Sequence, residues 1–370
     1  MRIGILGTRG IPNNYGGFEQ WAEQLSLGLV AKGYDVYVYN SHNHPYQKNK
    51  WAGVNIIHKY DPEFRVGTVG QFIYDLNCIV DSRTRKFDII LQLGYTSSSI
   101  WGWLLPKQKA LIVTNMDGFE WNRGKFSRTA KYFLKQAEKL GVYFSDIIIA
   151  DSPVIKKYYK SRYTKPVVYI PYGTKLFFDE DFSKISSFNI DKYNYYLLIA
   201  RLEPENNIEM VIQGVIKSKS QLPLLIVGNY NIPHGKYLFN KYSKEKQIKF
   251  TGAIYNSKVL NNLRFFSNLY FHGHSVGGTN PSLLEAMACS AVICAHDNPY
   301  NKAVLTNKGW YFSTVEDIYK LILSKNYENN RKETISRNRQ TINTNFLVED
   351  IINKYYNMFL EKIISKSNNN

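Results

Sequence analysis

Short apolar runs alternate with segments of helical periodicity along the chain of 370 residues. Residues 2–6 form the first apolar run, and apolar positions between Phe18 and Leu29 then recur every three or four residues, as on one face of a helix. Further runs of the buried-strand type lie at 36–39, 54–57, 89–91, 111–113 and 147–150. Strands that alternate with helices predict a parallel sheet covered by helices on both faces.

The alternation pauses in a polar stretch at 179–192 and then begins again. Strand-type runs follow at 195–200, 224–228, 249–251, 269–271 and 291–293. Helices are predicted over about 207–219, 281–289 and 347–366. We therefore expect an α/β protein with two Rossmann-like parallel-sheet domains, 1–176 and 190–345, that face each other across a cleft. The remaining segment, 346–370, should form a helix that packs back on the first domain and ends in a frayed tail.

Composition narrows the class of protein. A hydrophobic fraction of 44% allows two buried cores, and three cysteines without a Cys-x-x-Cys pair fit a reducing compartment rather than a disulfide or zinc scaffold. The net charge of +17 suggests an anionic partner such as nucleic acid, nucleotide phosphates or anionic lipid, although an AT-rich genome would also enrich lysine. Because the chain shows neither a signal peptide nor a run of about 18 apolar residues, we expect a cytoplasmic protein, soluble or peripheral on the inner face of the membrane.

The first loop, 7–19, follows a strand and opens a helix, but it is longer than the compact turn of a dinucleotide-binding site. Gly16 and Gly17 at the helix start would let a phosphate or a sugar approach bare backbone N–H groups. Arg9 adds a positive charge to the same loop. The alternative is that the glycines serve only the turn.

A second group of polar residues follows the strand at 195–200. Arg201 at the carboxyl end of that strand suits a diphosphate leaving group, because its charge offsets the negative charge that grows as a glycosidic bond breaks. Glu205 lies four residues later in the same segment. The alternative for Arg201 is a surface salt bridge to a nearby glutamate.

The third group of residues joins the strand at 269–271 to the helix at 281–289. Its loop can offer several N–H donors to a phosphate and contains Gly277, Gly278, Thr279 and Asn280. Glu285, one turn into the helix, could accept hydrogen bonds from ribose hydroxyls, or it could simply complement the helix dipole. His272 and His274 share a strand face, but no third ligand lies nearby, so no metal site is expected.

Carboxylates also follow strands of the first domain. Asp117 lies just beyond the strand at 111–113, where it could orient an acceptor hydroxyl or stabilise an oxocarbenium-like centre, or serve only a turn with Gly118. Glu120 is three residues further on. Asp151 ends the strand at 147–150, and we prefer the interpretation that it caps the following helix over a role at the acceptor.

A basic stripe lies within 125–140. Its members recur at helical spacing and are flanked by aromatic residues: Arg128, Lys131, Lys135 and Lys139, with Lys125 just before them. Such a stripe fits an interfacial helix on anionic lipid. A solvated charged face is the alternative.

Taken together, these motifs resemble a known family. Arg201 with the Glu-Pro-Glu segment after it, and the Gly-Gly-Thr-Asn loop followed by Leu-Leu-Glu-Ala-Met-Ala, resemble the donor site of family 4 glycosyltransferases with the GT-B fold. The Gly-Thr-Arg-Gly-Ile-Pro start, the Asn-His-Pro-Tyr-Gln segment at 43–47 and Asp-Gly-Phe-Glu-Trp at 117–121 resemble one branch, the bacterial rhamnosyltransferase-like enzymes of capsule and cell-wall polysaccharide synthesis. The resemblance spans nearly the whole chain.

Two positions depart from the wider family. Asn206 stands where the family usually has a lysine, and Gly277 stands where it has a glutamate. Phosphate neutralisation would then depend on Arg201, backbone amides and Arg9. The role that the family assigns to its glutamate cannot be transferred to this chain, because Gly277 occupies that position.

The resemblance implies a retaining enzyme without metal or cofactor. It would move a deoxyhexose, with L-rhamnose from dTDP-rhamnose as the first choice, to a lipid-linked saccharide. The donor would bind the second domain and the acceptor the first. Another UDP- or GDP-sugar donor is the nearest alternative. A dehydrogenase lacks its compact glycine turn here, and a nucleic-acid-binding protein lacks a recognition motif, so we expect no nucleic acid as partner. A nucleotide-sugar epimerase is a further alternative, because it would have a related two-domain architecture.

Overall fold

The computed structural model describes residues 1–14, 16–124, 126–306 and 309–367, with side chains described as far as residue 363. The chain divides into two compact units. Unit 1 comprises Met1–Asn122, Phe126–Gly173 and Val348–Asn370, and unit 2 comprises Arg123–Lys125 and Thr174–Leu347. The domains expected from the sequence, 1–176 and 190–345, differ from these units mainly at 177–189, which belongs to unit 2.

Unit 1 is built on a sheet of eight strands. They are β1 (Arg2–Leu6), β2 (Asp35–Ser41), β3 (Lys50–Trp51), β4 (Val54–Lys59), β5 (Ile89–Leu93), β6 (Leu111–Asn115), β7 (Ile147–Ala150) and β8 (Val167–Tyr169). Their order in the sheet is β3-β4-β2-β1-β5-β6-β7-β8. The short strand β3 pairs antiparallel with β4, and the other neighbours are parallel.

Helices connect these strands, as the alternating pattern predicts. They are α1 (Gly17–Ala31), α2 (Glu63–Val66), α3 (Gly70–Ser82), α4 (Arg128–Phe144) and α5 (Pro153–Arg162). The central strands β5, β6 and β7 are buried at every position, because helices cover both faces of the sheet. The carboxyl ends of the parallel strands therefore share one edge of the sheet, where loops can position polar side chains.

Unit 2 repeats this design with six parallel strands. They are β9 (Tyr196–Ile199), β10 (Leu224–Val227), β11 (Ile248–Gly252), β12 (Leu269–His272), β13 (Ile293–His296) and β14 (Trp310–Phe312), in the order β11-β10-β9-β12-β13-β14. Its helices are α6 (Ile208–Ser218), α7 (Pro233–Tyr242), α8 (Ser257–Phe265), α9 (Pro281–Ala288), α10 (Pro299–Leu305), α11 (Val315–Ser324), α12 (Asn326–Asn329) and α13 (Arg331–Thr341).

The last helix, α14 (Val348–Ser367), groups with unit 1 rather than with the helices that precede it. Tyr355 of α14 packs against Trp21 of α1, with ring centroids 5.8 Å apart, and Tyr356 stacks on Tyr34 at 5.4 Å. Across the described ranges, no helix is both long and apolar enough to cross a lipid bilayer.

Two segments differ from the sequence expectation. The strand expected at 291–293 begins at Ile293, because the N–H of Ala291 closes the end of α9 on the carbonyl of Ala286 (3.0 Å). Within the polar stretch at 179–192, a 3₁₀ helix, Phe182–Phe188, buries Ile185, and Ile190 is buried just after it. The mainly polar composition of the stretch hid these apolar anchors.

Candidate functional site

The candidate donor site lies at the carboxyl edge of the sheet of unit 2. Arg201 comes two residues after β9, and its side chain is exposed. In the described part of the chain, no carboxylate forms an ion pair with Arg201, which argues against the surface salt bridge considered above. Its backbone carbonyl is fixed instead, since the Asn206 side-chain amide donates to it at 2.7 Å. Asn206, which occupies the position of the family's usual lysine, therefore shapes the loop that presents Arg201.

Hydrogen bonds join the loops after β9 and β12. Ser275 donates to the Glu205 carbonyl from both its N–H (3.1 Å) and its hydroxyl (2.8 Å), and Asn207 Nδ2 donates to the Gly273 carbonyl at 2.8 Å. A Cβ atom on Gly273 would collide with the carbonyl of Asn206, so glycine is required where the two loops meet. These contacts bring the Arg201 segment and the glycine-rich loop together, because β9 and β12 are neighbours in the sheet.

The third strand end joins the same cluster. Asn298 and Asn301, which follow β13, both donate to the carbonyl of His274, at 3.0 Å and 3.1 Å. Three neighbouring strands, β9, β12 and β13, therefore fix one polar rim. Fixed backbone geometry of this kind is what a preorganised site for a charged ligand needs.

Glu205 is buried in this rim, with only 8% of its surface exposed. Arg123, which groups with unit 2, lies 3.6 Å from one Glu205 carboxyl oxygen. Glu205 therefore balances a cation, and its backbone rather than its carboxylate positions the loop of residues 275–280.

The glycine-rich loop leads directly into α9. Gly277 has a φ of +132°, with no atom near the position that a Cβ would occupy, so the loop needs glycine for its backbone conformation rather than for lack of space. Gly278 lies next to it, and Thr279 is buried. Asn280 caps α9, because its side-chain oxygen accepts the Ser282 N–H at 2.9 Å. The Asn280 side chain therefore has a structural role.

Glu285 of α9 forms an ion pair with a buried arginine of α8. Arg264 Nη2 of α8 lies 2.5 Å from a Glu285 carboxyl oxygen and 3.4 Å from the Ser282 hydroxyl. The Arg264 side chain is 3% exposed and that of Glu285 is 21% exposed. Glu285 thus neutralises a buried cation, which neither the ribose interpretation nor the helix-dipole interpretation included.

Two histidines stack at the end of β12. The His272 and His274 rings are 4.4 Å apart and inclined by 16°. Burial, followed by the charge of Arg201 and then that of Arg123, lowers the pKa of His274 from 6.5 to about 3. Both rings are therefore neutral at physiological pH. Among the residues that the structure describes, no three His, Cys, Asp or Glu side chains are arranged to hold a metal ion.

The loop between β1 and α1 is fixed from two sides in unit 1. Glu19 of α1 accepts the Arg9 N–H at 3.0 Å and the Thr8 hydroxyl at 3.4 Å. Asn40, within β2, accepts the Ile11 N–H at 3.0 Å and donates to its carbonyl at 2.8 Å. The loop is therefore a rigid structure held from α1 and β2.

Arg9 has a partner of its own in unit 1. Its guanidinium donates two hydrogen bonds to Glu63, at 2.9 Å and 2.7 Å, so the phosphate-neutralising role expected for Arg9 would require a charge that is already paired. Gly16 precedes α1 with an extended backbone, and Gly17 begins the helix. Since neither adopts a left-handed conformation, the turn alone does not require glycine at these two positions.

Asp117 lies beyond the end of β6 in a left-handed conformation, with φ at +48°. Its N–H donates to the Asn115 side chain at 3.1 Å, and the Tyr172 hydroxyl donates to its carboxylate at 3.2 Å. Burial, then the nearby carboxylates of Asp117 and Asp151, raises the pKa of Tyr172 well above its ordinary value. Asp117 is thus a half-buried carboxylate held by a neutral phenol at the carboxyl edge of the sheet.

The preferred interpretation of Asp151 as a helix cap is wrong. Ser152 caps α5 instead, accepting the N–H groups of Val154 at 3.2 Å and Ile155 at 3.4 Å. A serine next to an aspartate at a helix start offers two candidate caps, and the residue nearer the helix has the role here. Asp151 is almost fully buried beyond β7, and Glu120 begins a 3₁₀ turn, Glu120–Asn122.

The basic stripe lies on α4, whose exposed face mixes cations with tyrosines: Arg128, Tyr132, Lys135, Lys139 and Tyr143. Lys131 is partly covered, and Lys125 lies outside the described residues. The acidic residue of α4, Glu138, is buried and accepts hydrogen bonds from Trp121 (2.7 Å) and Tyr158 (2.9 Å). The exposed face of α4 therefore presents positive charge without a carboxylate.

Two family models divide the chain as the structure does. Residues 1–175 match a domain of unknown function (DUF1972), and residues 179–338 match the model described as Glycosyl transferases group 1. The second match covers the strands and loops that form the polar rim of unit 2. It identifies a glycosyltransferase domain. No curated protein matches the chain by sequence.

Solved structures with this fold include glycosyltransferases of the GT-B class. The chain is similar to sucrose-phosphate synthase from Thermosynechococcus elongatus, with a TM-score of 0.79 at 17% identity over 98% of this chain and 99% of that one. It is also similar to a glycosyltransferase from Rickettsia africae ESF-5 (TM-score 0.72, 12% identity, 98% of each chain). A third similar structure is Anabaena HepE in complex with UDP and glucose (TM-score 0.72, 15% identity, 96% and 98%). These likenesses confirm the GT-B fold that the sequence predicted.

Two residues of unit 2, Arg264 and His274, have contacts that the sequence pattern did not predict. Arg264 is a single arginine between apolar residues of α8, and nothing in that pattern shows that it reaches Glu285 on another helix. His274 was considered only as a metal ligand. Its position three residues before the Gly277-Gly278 pair was the available signal, because the same loop was already expected to bind phosphate.

Proposed function

We propose that this chain is a retaining glycosyltransferase that moves a deoxyhexose to a lipid-linked saccharide in surface polysaccharide synthesis. L-rhamnose from dTDP-rhamnose is the first choice of donor, because the motifs in both domains resemble the rhamnosyltransferase-like branch. The family match and the fold support the coarser statement, a glycosyltransferase that uses a nucleotide sugar.

The observation that supports this proposal most strongly is the exposed guanidinium of Arg201. It follows β9 beside the glycine-rich loop after β12, and in the described ranges it forms no ion pair. A cation without a protein partner at a rigid loop suits a diphosphate, whose negative charge increases as the bond to the sugar breaks. Arg201 and the amides of residues 276–279 would then stabilise the leaving group.

Asp117 is the candidate for chemistry in unit 1. Its carboxylate is fixed by Tyr172 and by the backbone turn at Asn115, so its direction is defined before any substrate binds. In this proposal Asp117 orients the acceptor hydroxyl, and the departing phosphate takes the proton of that hydroxyl. The sugar then keeps its anomeric configuration because attack occurs on the face that the phosphate leaves.

We expect the transfer to need neither a metal ion nor a cofactor, because Arg201 and backbone amides provide the positive charge at the phosphates. Activity in excess EDTA should therefore equal activity in added Mg²⁺. A loss of more than about tenfold in EDTA would show that a metal supplies part of the stabilisation.

The face of α4 supports attachment to an anionic membrane surface from the cytoplasmic side. Tyr132 and Tyr143 are each 68% exposed, and they share their helix face with Arg128, Lys135 and Lys139. Tyrosines favour the headgroup region, and each basic residue near an anionic surface contributes about 1 kcal/mol. Lys135 also lies over the Trp121 ring at 4.7 Å, so part of its charge already has a partner.

The experiment for the donor is a transfer assay with full-length protein, membrane lipid extract and one of three donors: dTDP-rhamnose, UDP-glucose or GDP-mannose. We expect release of the nucleoside diphosphate with dTDP-rhamnose, together with a deoxyhexose-bearing lipid detected by mass spectrometry. Transfer from UDP-glucose alone would favour the alternative donor class, for which a relative structure with bound UDP and glucose is a precedent. No release from any donor would overturn the proposal.

A further inference from the structure

The stacked histidines after β12 have hydrogen-bonding capacity that the fold does not use. Neither nitrogen of His272 has a hydrogen-bond partner among the described residues, and neither has Nδ1 of His274. A neutral imidazole has one donor and one acceptor, and a buried polar atom without a partner is costly. Native proteins retain such atoms mainly where a ligand or a water molecule completes them.

The position of His274 indicates what kind of ligand would form a hydrogen bond with its Nδ1 atom. Its backbone carbonyl is fixed by Asn298 and Asn301, so the residue cannot move without disturbing two strand ends. The charged groups that act on its ring are the guanidinium groups of Arg201 and Arg123. An environment of cations, with the amides of the glycine-rich loop three residues away, suits an anion rather than a hydroxyl or a cation.

The nearby carboxylates are already engaged with other cations. Glu205 lies beside Arg123, and Glu285 is paired with Arg264. The local positive charge of Arg201 is therefore left for a ligand, and the loop of residues 275–280 begins directly after His274. An anionic group bound by Arg201 would lie within the surroundings of the His274 ring.

We propose that His274 is a phosphate-binding residue of the donor site, where its neutral imidazole donates a hydrogen bond from Nδ1 to the diphosphate of the nucleotide sugar. This inference rests on the proposed function. The hydrogen bond from His274 would partly compensate for the lysine that Asn206 replaces. The Asn206 amide cannot do so, because it already donates to the Arg201 carbonyl. The stack with His272 fixes the plane of the ring and so selects the direction of the N–H group.

The test compares ligands that differ only in their phosphates. Binding of dTDP, dTMP and thymidine, and of UDP, UMP and uridine, would be measured by isothermal titration calorimetry on the full chain. His274→Phe keeps an aromatic ring for the stack but removes the donor, and His274→Asn keeps an N–H group near the Nδ1 position but removes the ring. His234→Ala, on α7 of the same unit, is the matched control.

We expect His274→Phe to weaken diphosphate binding about 10-fold or more, as for a lost hydrogen bond to a charged group, and to leave nucleoside binding unchanged. His274→Asn should recover most of the diphosphate affinity, and His234→Ala should match wild type. Equal losses for diphosphate and nucleoside would show a purely structural role and overturn the inference. If wild type binds none of these ligands, the proposed function itself fails. If wild type binds a diphosphate and His274→Phe binds it equally well, only the inference about His274 fails.

Discussion

Replacing Glu285 with alanine should destabilise unit 2 strongly, because the change leaves a buried arginine without its counter-ion. Arg264 is the less exposed partner, at 3% against 21% for Glu285, and burial disfavours its charge. Removing one member of a buried ion pair typically costs about 3–5 kcal/mol, because the remaining charge stays desolvated. In a domain of this size, 1 kcal/mol corresponds to roughly 2–4 °C, so the melting temperature should fall by roughly 6–20 °C.

The asymmetry of burial gives a second, sharper expectation. Arg264→Met retains most of the side-chain volume and leaves Glu285, which can reach solvent, so it should cost less than Glu285→Ala. The double variant Arg264→Met, Glu285→Leu removes both charges and should recover most of the lost stability. The measurement is urea-induced unfolding of the full chain, followed by circular dichroism.

The matched control is an exposed ion pair in the same unit. Lys217 and Glu316 are also 2.5 Å apart, but their side chains are 51% and 41% exposed. Glu316→Ala should cost less than about 1 kcal/mol. If Glu285→Ala lowers the free energy of unfolding no more than Glu316→Ala does, then the charge of Arg264 does not depend on Glu285 for its compensation. Glu285 would then again be a simple candidate for ribose binding, and Glu285→Gln should mainly raise the donor KM.

Three further predictions concern activity and attachment. Arg201→Ala should lower kcat/KM by about 100-fold or more, roughly 3 kcal/mol of transition-state stabilisation, and turnover within about threefold of wild type would contradict its role at the diphosphate. Asp117→Asn should keep a near-normal melting temperature and donor affinity while activity falls about 100-fold, whereas an unfolded variant would show that Asp117 serves the turn. Wild type should pellet with anionic vesicles at low salt and should be released at 1 M salt, where the Debye length is about 3 Å. The triple variant Lys131→Glu, Lys135→Glu, Lys139→Glu should stay in the supernatant. If this variant pellets like wild type, the basic stripe is only a solvated face.

The alternation of apolar runs and helical segments was enough to predict both sheets. Parallel strands buried on both faces leave a strong signal, since every position in runs such as 89–91 is apolar. The placement of Arg201 and the glycine-rich loop at one edge also followed from the sequence, because parallel strands share their carboxyl ends. The antiparallel pair of β3 and β4 was not predicted, since two residues of strand give no periodicity.

The side-chain partners could not be predicted in the same way. The pairing of Arg9 with Glu63 and of Arg264 with Glu285 joins residues 54 and 21 positions apart, on separate elements whose packing sets the contact. The cap of α5 was assigned to Asp151 although Ser152 has the role, because propensity ranks the two residues equally and geometry decides. Burial of His274 likewise depends on the packing of three loops.

The most direct test of the account is calorimetric binding of dTDP, UDP, GDP and CDP to the wild-type chain and to Arg201→Ala. The account predicts that wild type binds one of these diphosphates saturably, with dTDP the first choice, and that Arg201→Ala weakens that binding about 10-fold or more, as for loss of a charge-assisted contact. If wild type binds none of the four, or if Arg201→Ala binds as tightly as wild type, then the rim formed by β9, β12 and β13 is not a nucleotide-sugar site.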